Sequence, residues 1–182
     1  MHAVEAIVTA FWAMLPAYVP NNAAVLAGGG RPIDGGRTWR DGNRLLGDGK
    51  TWRGTAIGTI AGAALAAALN AVAPAVSGAI GVPIPRFPPL ALLTLPFGAM
   101  LGDILASFIK RRSGRERGAA FPLLDQLDFV VVALALTAGA VPGWFRETFT
   151  LTVVVVVLVL TPALHVLTNG VAYLLDLKDE PW

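Results

Sequence analysis

Five long apolar stretches, parted by four breaks, organise the chain. A bilayer core of roughly 30 Å takes about 20 helical residues to cross. The apolar stretches therefore predict membrane-spanning helices near 4–27, 54–79, 88–109, 126–142 and 148–175, the fourth being the shortest. The breaks differ in kind. Residues 28–53 are long and polar, 80–88 (Gly81-Val-Pro-Ile-Pro-Arg-Phe-Pro-Pro) form a stiff turn, 110–125 are basic, and 143–147 are brief. The expected fold class is an all-α integral membrane protein, a single domain over 1–182 built as a bundle of five transmembrane helices with two basic cytoplasmic loops.

Polar and small positions inside the spans refine this pattern. Pro16 and Pro20 break the first helix just before Asn21 and Asn22. The freed backbone groups need partners, and the two amides at that depth can contact a ligand. Gly54, Gly58 and Gly62 recur every fourth residue in the second span, which predicts a close helix-packing seam. In the fifth span Thr161, His165 and Asn169 form a polar stripe expected to face the bundle interior, with His165 as an interhelical hydrogen-bonding residue.

Composition agrees with a membrane protein: 55% of residues are hydrophobic and 14% charged, against roughly 25% charged in an ordinary globular domain. There is no cysteine, so disulfides, thiolate chemistry and Cys-based zinc sites are excluded. Of 14 Lys and Arg residues, six lie in 31–53 and five in 110–117. Positive charge stays inside, so the N-terminus is expected outside the cell membrane, with both basic loops and the C-terminus cytoplasmic. A cleaved signal peptide is the competing reading of the first stretch. That stretch lacks a basic n-region, carrying His2 and Glu5 instead, so it is read as a span.

Charge inside the third span points to chemistry. Asp103, Ser107, Lys110 and Arg111 fall at i, i+4, i+7 and i+8, one helix face. Asp103 lies about 10 Å inside the charged end, where an ionised carboxylate costs at least about 2.5 kcal/mol without a partner. Asp125 and Asp128 begin the next helix and can face it, although acids also cap helix starts. Three carboxylates beside the bases of 110–117 suggest a divalent metal holding a phosphate-rich substrate. The 28–53 loop adds Asp34, Asp41, Asp48, Arg44 and Lys50 among glycines, which let backbone amides approach an anion. It is not a P-loop, since Gly47-Asp-Gly-Lys-Thr51 lacks the first glycine and any βαβ context.

The blocks Pro32-Ile-Asp34-Gly-Gly36, Asp41-Gly-Asn-Arg44-Leu-Leu-Gly47-Asp48-Gly-Lys50-Thr51, Gly102-Asp103…Ser107…Lys110-Arg111 and Pro122-Leu-Leu-Asp125-Gln126-Leu-Asp128-Phe129 resemble the CDP-archaeol synthase family, archaeal membrane cytidylyltransferases, over essentially the whole chain. More distantly the chain is similar to bacterial CDP-diacylglycerol synthases, matching their signature at Gly102, Asp103, Ser107, Lys110, Arg111, Pro122, Asp125 and Asp128. Their Gly-His-Gly-Gly portion is absent, and Gln126 and Phe129 replace an Arg and a Ser. The resemblance implies transfer of CMP from CTP to di-O-geranylgeranylglyceryl phosphate, a prenylated glyceryl phosphate lipid, with release of pyrophosphate. It implies Mg²⁺ on Asp103 and Asp125, with Asp128 as a further ligand, and catalytic Lys110 and Arg111. Nucleotide and phosphate contacts would come from Asn22, Asp34, Arg44, Asp48, Lys50, Ser107 and Arg112. CTP, the acceptor lipid and membrane lipid are the expected partners, and nucleic acid is not. The alternatives are a CDP-alcohol phosphatidyltransferase, whose downstream acids are missing here, and a lipid transporter.

Overall fold

The computed structural model describes residues 2–113 and 124–174, the side chains of Leu124, Asp125, Asn169, Val171 and Ala172 excepted. The described residues are helical apart from connecting segments, in the order α1 (Ala3–Ala27), α2 (Trp52–Ile80), α3 (Pro89–Arg112), α4 (Leu124–Ala140), α5 (Pro142–Thr148) and α6 (Leu151–Leu174). Four of these, α1, α2, α3 and α6, are long and apolar enough to cross a membrane; the apolar part of α4, Gln126–Ala140, is shorter. At 1.5 Å per residue the 17 residues of α4 as a whole reach roughly 26 Å, a little under a bilayer core.

The last break departs from expectation. Where a brief turn over 143–147 was expected, Pro142 opens the seven-residue helix α5, about two turns long, and the last long helix starts at Leu151 rather than 148. Proline suits the first position of a helix because its missing N–H would be unpaired there anyway.

Helix α1 is the axis of the bundle and packs against α2, α3 and α6. Its inward residues are small (Ala6, Ala10, Ala13, Ala17), with Met14 fully buried among them. Both of its prolines are buried and serve the packing. Pro20 removes the amide that would bond the Pro16 carbonyl, and α2 covers that oxygen with a glycine. A Cβ on Gly62 would lie 2.5 Å from the Pro16 oxygen, and one on Gly58 2.6 Å from the Pro20 oxygen. The Gly54–Gly58–Gly62 seam is thus a backbone-to-backbone contact with α1. A second seam joins α3 to α4, where a Cβ on Gly98 would meet Ala133 and one on Gly102 would lie 2.5 Å from the Asp128 oxygen.

Polar side chains pin the helices further. Tyr18 and Thr161 share a hydrogen bond of 2.8 Å, so the polar stripe of the last span does turn inward at Thr161. Thr94 and Thr137 share another at 3.0 Å between α3 and α4.

Candidate active site

The site is built where the 28–53 loop settles on the end of α3. The two ends of the loop are drawn together by backbone bonds: Ile33 N donates to the Lys50 oxygen at 2.8 Å and Trp52 N to the Arg31 oxygen at 3.2 Å. Thr51 then caps α2, its hydroxyl accepting from Gly54 N at 3.0 Å. Inside the loop, Asp34 is the hub. Its carboxylate accepts from the amides of Gly36, Leu46 and Gly47 and from the Arg44 guanidinium through Nε and Nη2. Arg44 also reaches Asp48 at 2.7 Å. The Arg44 guanidinium, helped by the Gly47, Leu46 and Gly36 amides and opposed by burial, holds the Asp34 carboxyl well below the usual carboxylate range. The same two acids raise the Arg44 guanidinium above its ordinary value.

The polar face of α3 is the seat of this loop. Ser107 Oγ donates to the Leu46 oxygen at 2.8 Å. Arg112 donates to Asp41 at 2.9 Å and to the Arg44 oxygen at 2.8 Å, with its guanidinium against the rings of Trp39 and Phe108. Arg111 lies against Gly47, where a Cβ would come 3.5 Å from Nη2. Its Nε is buried without a partner among the described residues. Highest on this face, Lys50 Nζ meets Asp103 Oδ2 at 2.6 Å, with each side chain about a quarter exposed. The depth of Asp103 thus finds its cation in the loop, 53 residues away in sequence.

The Lys50–Asp103 pair lines a cavity of about 150 Å³ among α1, α2, α3 and residues 49–51. Asn21, Thr51 and Thr55 add polar walls and Met100 an apolar one. The Asn21 Oδ1 is buried and accepts no hydrogen bond among the described residues. Buried amide oxygens are ordinarily paired, so this one is a candidate ligand atom.

The structure therefore sorts the residues singled out from the sequence. Lys50 and Asp103 come together in the cavity, with Arg111 lower on the same α3 face. Asp34, Arg44, Ser107 and Arg112 are engaged in holding the loop, and Asp48 is exposed on its pair with Arg44. Asn22 is exposed, and the cavity is lined by its neighbour Asn21, one 100° helical step round α1. The Asp128 carbonyl packs on Gly102, and its carboxylate accepts from the Phe129 amide at 2.6 Å. Lys110 ends the same α3 face, and its backbone oxygen accepts from the Ser113 hydroxyl. The side chain of Asp125 and the bases Arg115 and Arg117 lie outside the described residues. Among the described residues no three acids or histidines gather into a metal cage. Sequence reasoning named Asn21 and Asn22 together and carried Asn22 as the contact, and it missed Trp39 with Asp41 as the anchors of Arg112.

A family model described as CarS-like, CDP-archaeol synthase, matches residues 3–182. The chain belongs to this family. Curated CDP-archaeol synthases agree: that of Halobacterium salinarum is 72% identical over the whole of both chains. The Natronomonas pharaonis protein is 65% identical over 98% of each, and the Methanosarcina acetivorans protein 46% identical over 93% of this chain and all of its own. A solved structure described as an intramembrane enzyme for archaeal membrane lipid biosynthesis superposes with a TM-score of 0.69. It is 36% identical and covers 90% of this chain and 94% of its own. Membership of this family carries the assignment to a multi-pass membrane enzyme, in place of a transporter or a CDP-alcohol phosphatidyltransferase.

Proposed function

We propose that the chain transfers CMP from CTP to a prenylated glyceryl phosphate in the cavity walled by Asn21, Lys50 and Asp103, at the cytoplasmic end of the bundle. The observation that carries this reading is the meeting of a buried-helix carboxylate, a loop lysine and an unpartnered amide oxygen in one cavity. Sidedness follows from the bases of 31–53 and 110–117, which favour the compartment where CTP is found.

In the reaction an oxygen of the lipid phosphate attacks the α-phosphorus of CTP in line. The new P–O bond makes the diphosphate linkage, and the α–β P–O bond breaks to release pyrophosphate. The nucleophile is already ionised at neutral pH, so no strong general base is required, and His165 needs no catalytic role. The barrier is the approach of one anion to another. Lys50 and Arg111 answer it by placing positive charge beside the triphosphate and the departing pyrophosphate. Lys110, on the same face, adds a third cation.

The donor atoms of the cavity suit Mg²⁺. Asp103 offers a carboxylate and Asn21 an amide oxygen, both hard ligands, and Mg²⁺ characteristically takes one or two carboxylates together with phosphate oxygens. Asp103 and Asn21 would hold it, with Asp125 and Asp128 at the start of α4 as further carboxylates. Such an ion supplies charge neutralisation and orientation of the phosphates.

The deciding experiment follows label from α-labelled CTP into a lipid fraction, given prenylated glyceryl phosphate and Mg²⁺. Label should enter lipid in the wild type and be lost on chelation. Asp103→Asn should reduce turnover by roughly 10² or more while the protein stays folded. Near-normal turnover in that variant sinks the proposal.

A further inference from the structure

At the end of the bundle remote from the 28–53 loop, a second cavity of about 350 Å³ opens between α1, the 83–86 turn and α5. It is many times the roughly 30 Å³ that one water occupies in the liquid. Its walls are firmly held. Trp12 Nε1 donates to the Pro85 oxygen at 3.1 Å, and the Asn70 amide clamps Phe87 through two bonds of 2.7 and 2.8 Å. Behind it Phe87, Trp144 and Phe149 follow one another at centroid spacings of 5.8 Å.

Four polar side chains line this cavity: Thr9, Arg86, Glu147 and Thr148. None of them makes a side-chain hydrogen bond or ion pair in the described structure. The two threonines are only 5% and 4% exposed, yet neither hydroxyl is a fully buried unpaired atom. Helical threonines with no other partner commonly bond back to a carbonyl one turn earlier. Here both hydroxyls face the cavity instead.

The chemistry of the four groups defines a ligand. A guanidinium matches a phosphate in geometry and charge. A carboxylate only accepts hydrogen bonds, so Glu147 demands a donor, and a bare phosphate would set anion against anion. Two neutral hydroxyls favour a polyol. Pro83, Ile84 and Trp144 give one side an apolar lining. Thr9 lies six residues into α1, roughly 9 Å along the axis, so the cavity sits near the end of a membrane-length helix, within reach of a lipid headgroup. We propose that this cavity binds the phosphoglycerol headgroup of a membrane lipid, its phosphate on Arg86 and its glycerol hydroxyls on Glu147, Thr9 and Thr148. The site is separate from the cytidylyl-transfer cavity and does not depend on where that reaction occurs.

The test is native mass spectrometry of the full chain in detergent, titrated with dioleoylphosphatidylglycerol. Phosphatidylcholine, which has the phosphate without the glycerol hydroxyls, and free glycerol phosphate are the comparison arms. The wild type should retain one phosphatidylglycerol. Arg86→Gln should weaken that retention about tenfold, in line with loss of one charge-assisted bond. Glu147→Gln, at an exposed position, should weaken phosphatidylglycerol while leaving phosphatidylcholine unchanged. CTP-dependent turnover should be unaltered in both variants, which certifies their folding. Equal retention of the two lipids, or unchanged retention in Arg86→Gln, overturns the proposal. Binding of free glycerol phosphate with no lipid retained overturns the assignment to a membrane lipid.

Discussion

Asn21 and Asn22 are chemically identical neighbours, and only the direction each takes from α1 separates them. Asn21 has a buried, unpartnered Oδ1 at the cavity, whereas Asn22 is exposed. Asn21→Ala should therefore lower kcat/KM for CTP by about tenfold or more, the loss of one polar contact at a desolvated site, with Asn22→Ala close to wild type. Equal kinetics in the two variants would remove Asn21 from the site. A second contrast at this scale concerns Asp34, whose side chain is fully enclosed by loop donors. Its folded-state carboxyl titrates below its unfolded value, so its stabilising contribution is complete above the unfolded pKa of about 3.9. That contribution is lost as pH falls from there toward the depressed value. Pepsin should cut wild-type 28–53 slowly at about pH 4 and faster toward pH 2, while Asp34→Asn should already be cut quickly at pH 4. Identical pH profiles would show that Asp34 does not hold the loop.

Between helices, the decisive groups are hydrogens in place of side chains. The Gly54–Gly58–Gly62 repeat was legible because small residues every fourth position make one stripe on any helix. The Gly98–Gly102 pair has the same spacing, but two glycines make too short a stripe to mark a seam without the packed helix opposite. Ala at Gly62 or Gly102 would put a methyl within 2.6 Å of backbone or proline atoms, an overpacking that costs about 1–3 kcal/mol. Gly78→Ala, on the same α2 as Gly62 and with open space at its Cβ, should be neutral or slightly stabilising. Thermal unfolding in detergent checks this. A melting temperature lowered in the first two and unchanged in the third is expected, and equal melting temperatures would deny the seams. Gly102 matters for function as well as packing, since it brings the start of α4 against the turn that carries Asp103.

For the whole molecule, the 28–53 loop and α5 lie at opposite ends of the bundle, and the cysteine-free sequence makes the expected placement of these ends on opposite sides of a bilayer directly measurable. Single cysteines at the exposed positions Arg40 and Gly143 should react with a membrane-impermeant thiol reagent from opposite sides. Arg40→Cys should label in inside-out vesicles and Gly143→Cys in intact cells; the reverse pattern would invert the topology. The sequence by itself determined the approximate bounds of the five long helices, because a run of apolar residues of that length marks a buried helix without reference to any partner. It also determined the one-sided distribution of the bases and the single polar face of α3 running from Asp103 to Arg111, because a helix turns by a constant angle per residue. Only the tertiary structure decided which polar residues remain available for chemistry. Asp34, Arg44, Ser107 and Arg112 carry the same charges and hydroxyls as active groups, yet they spend them on fastening a loop, while Lys50 and Asp103 meet across 53 residues. Whether a polar group binds a ligand or its own chain depends on which donors and acceptors surround it in space, and that neighbourhood is created by folding.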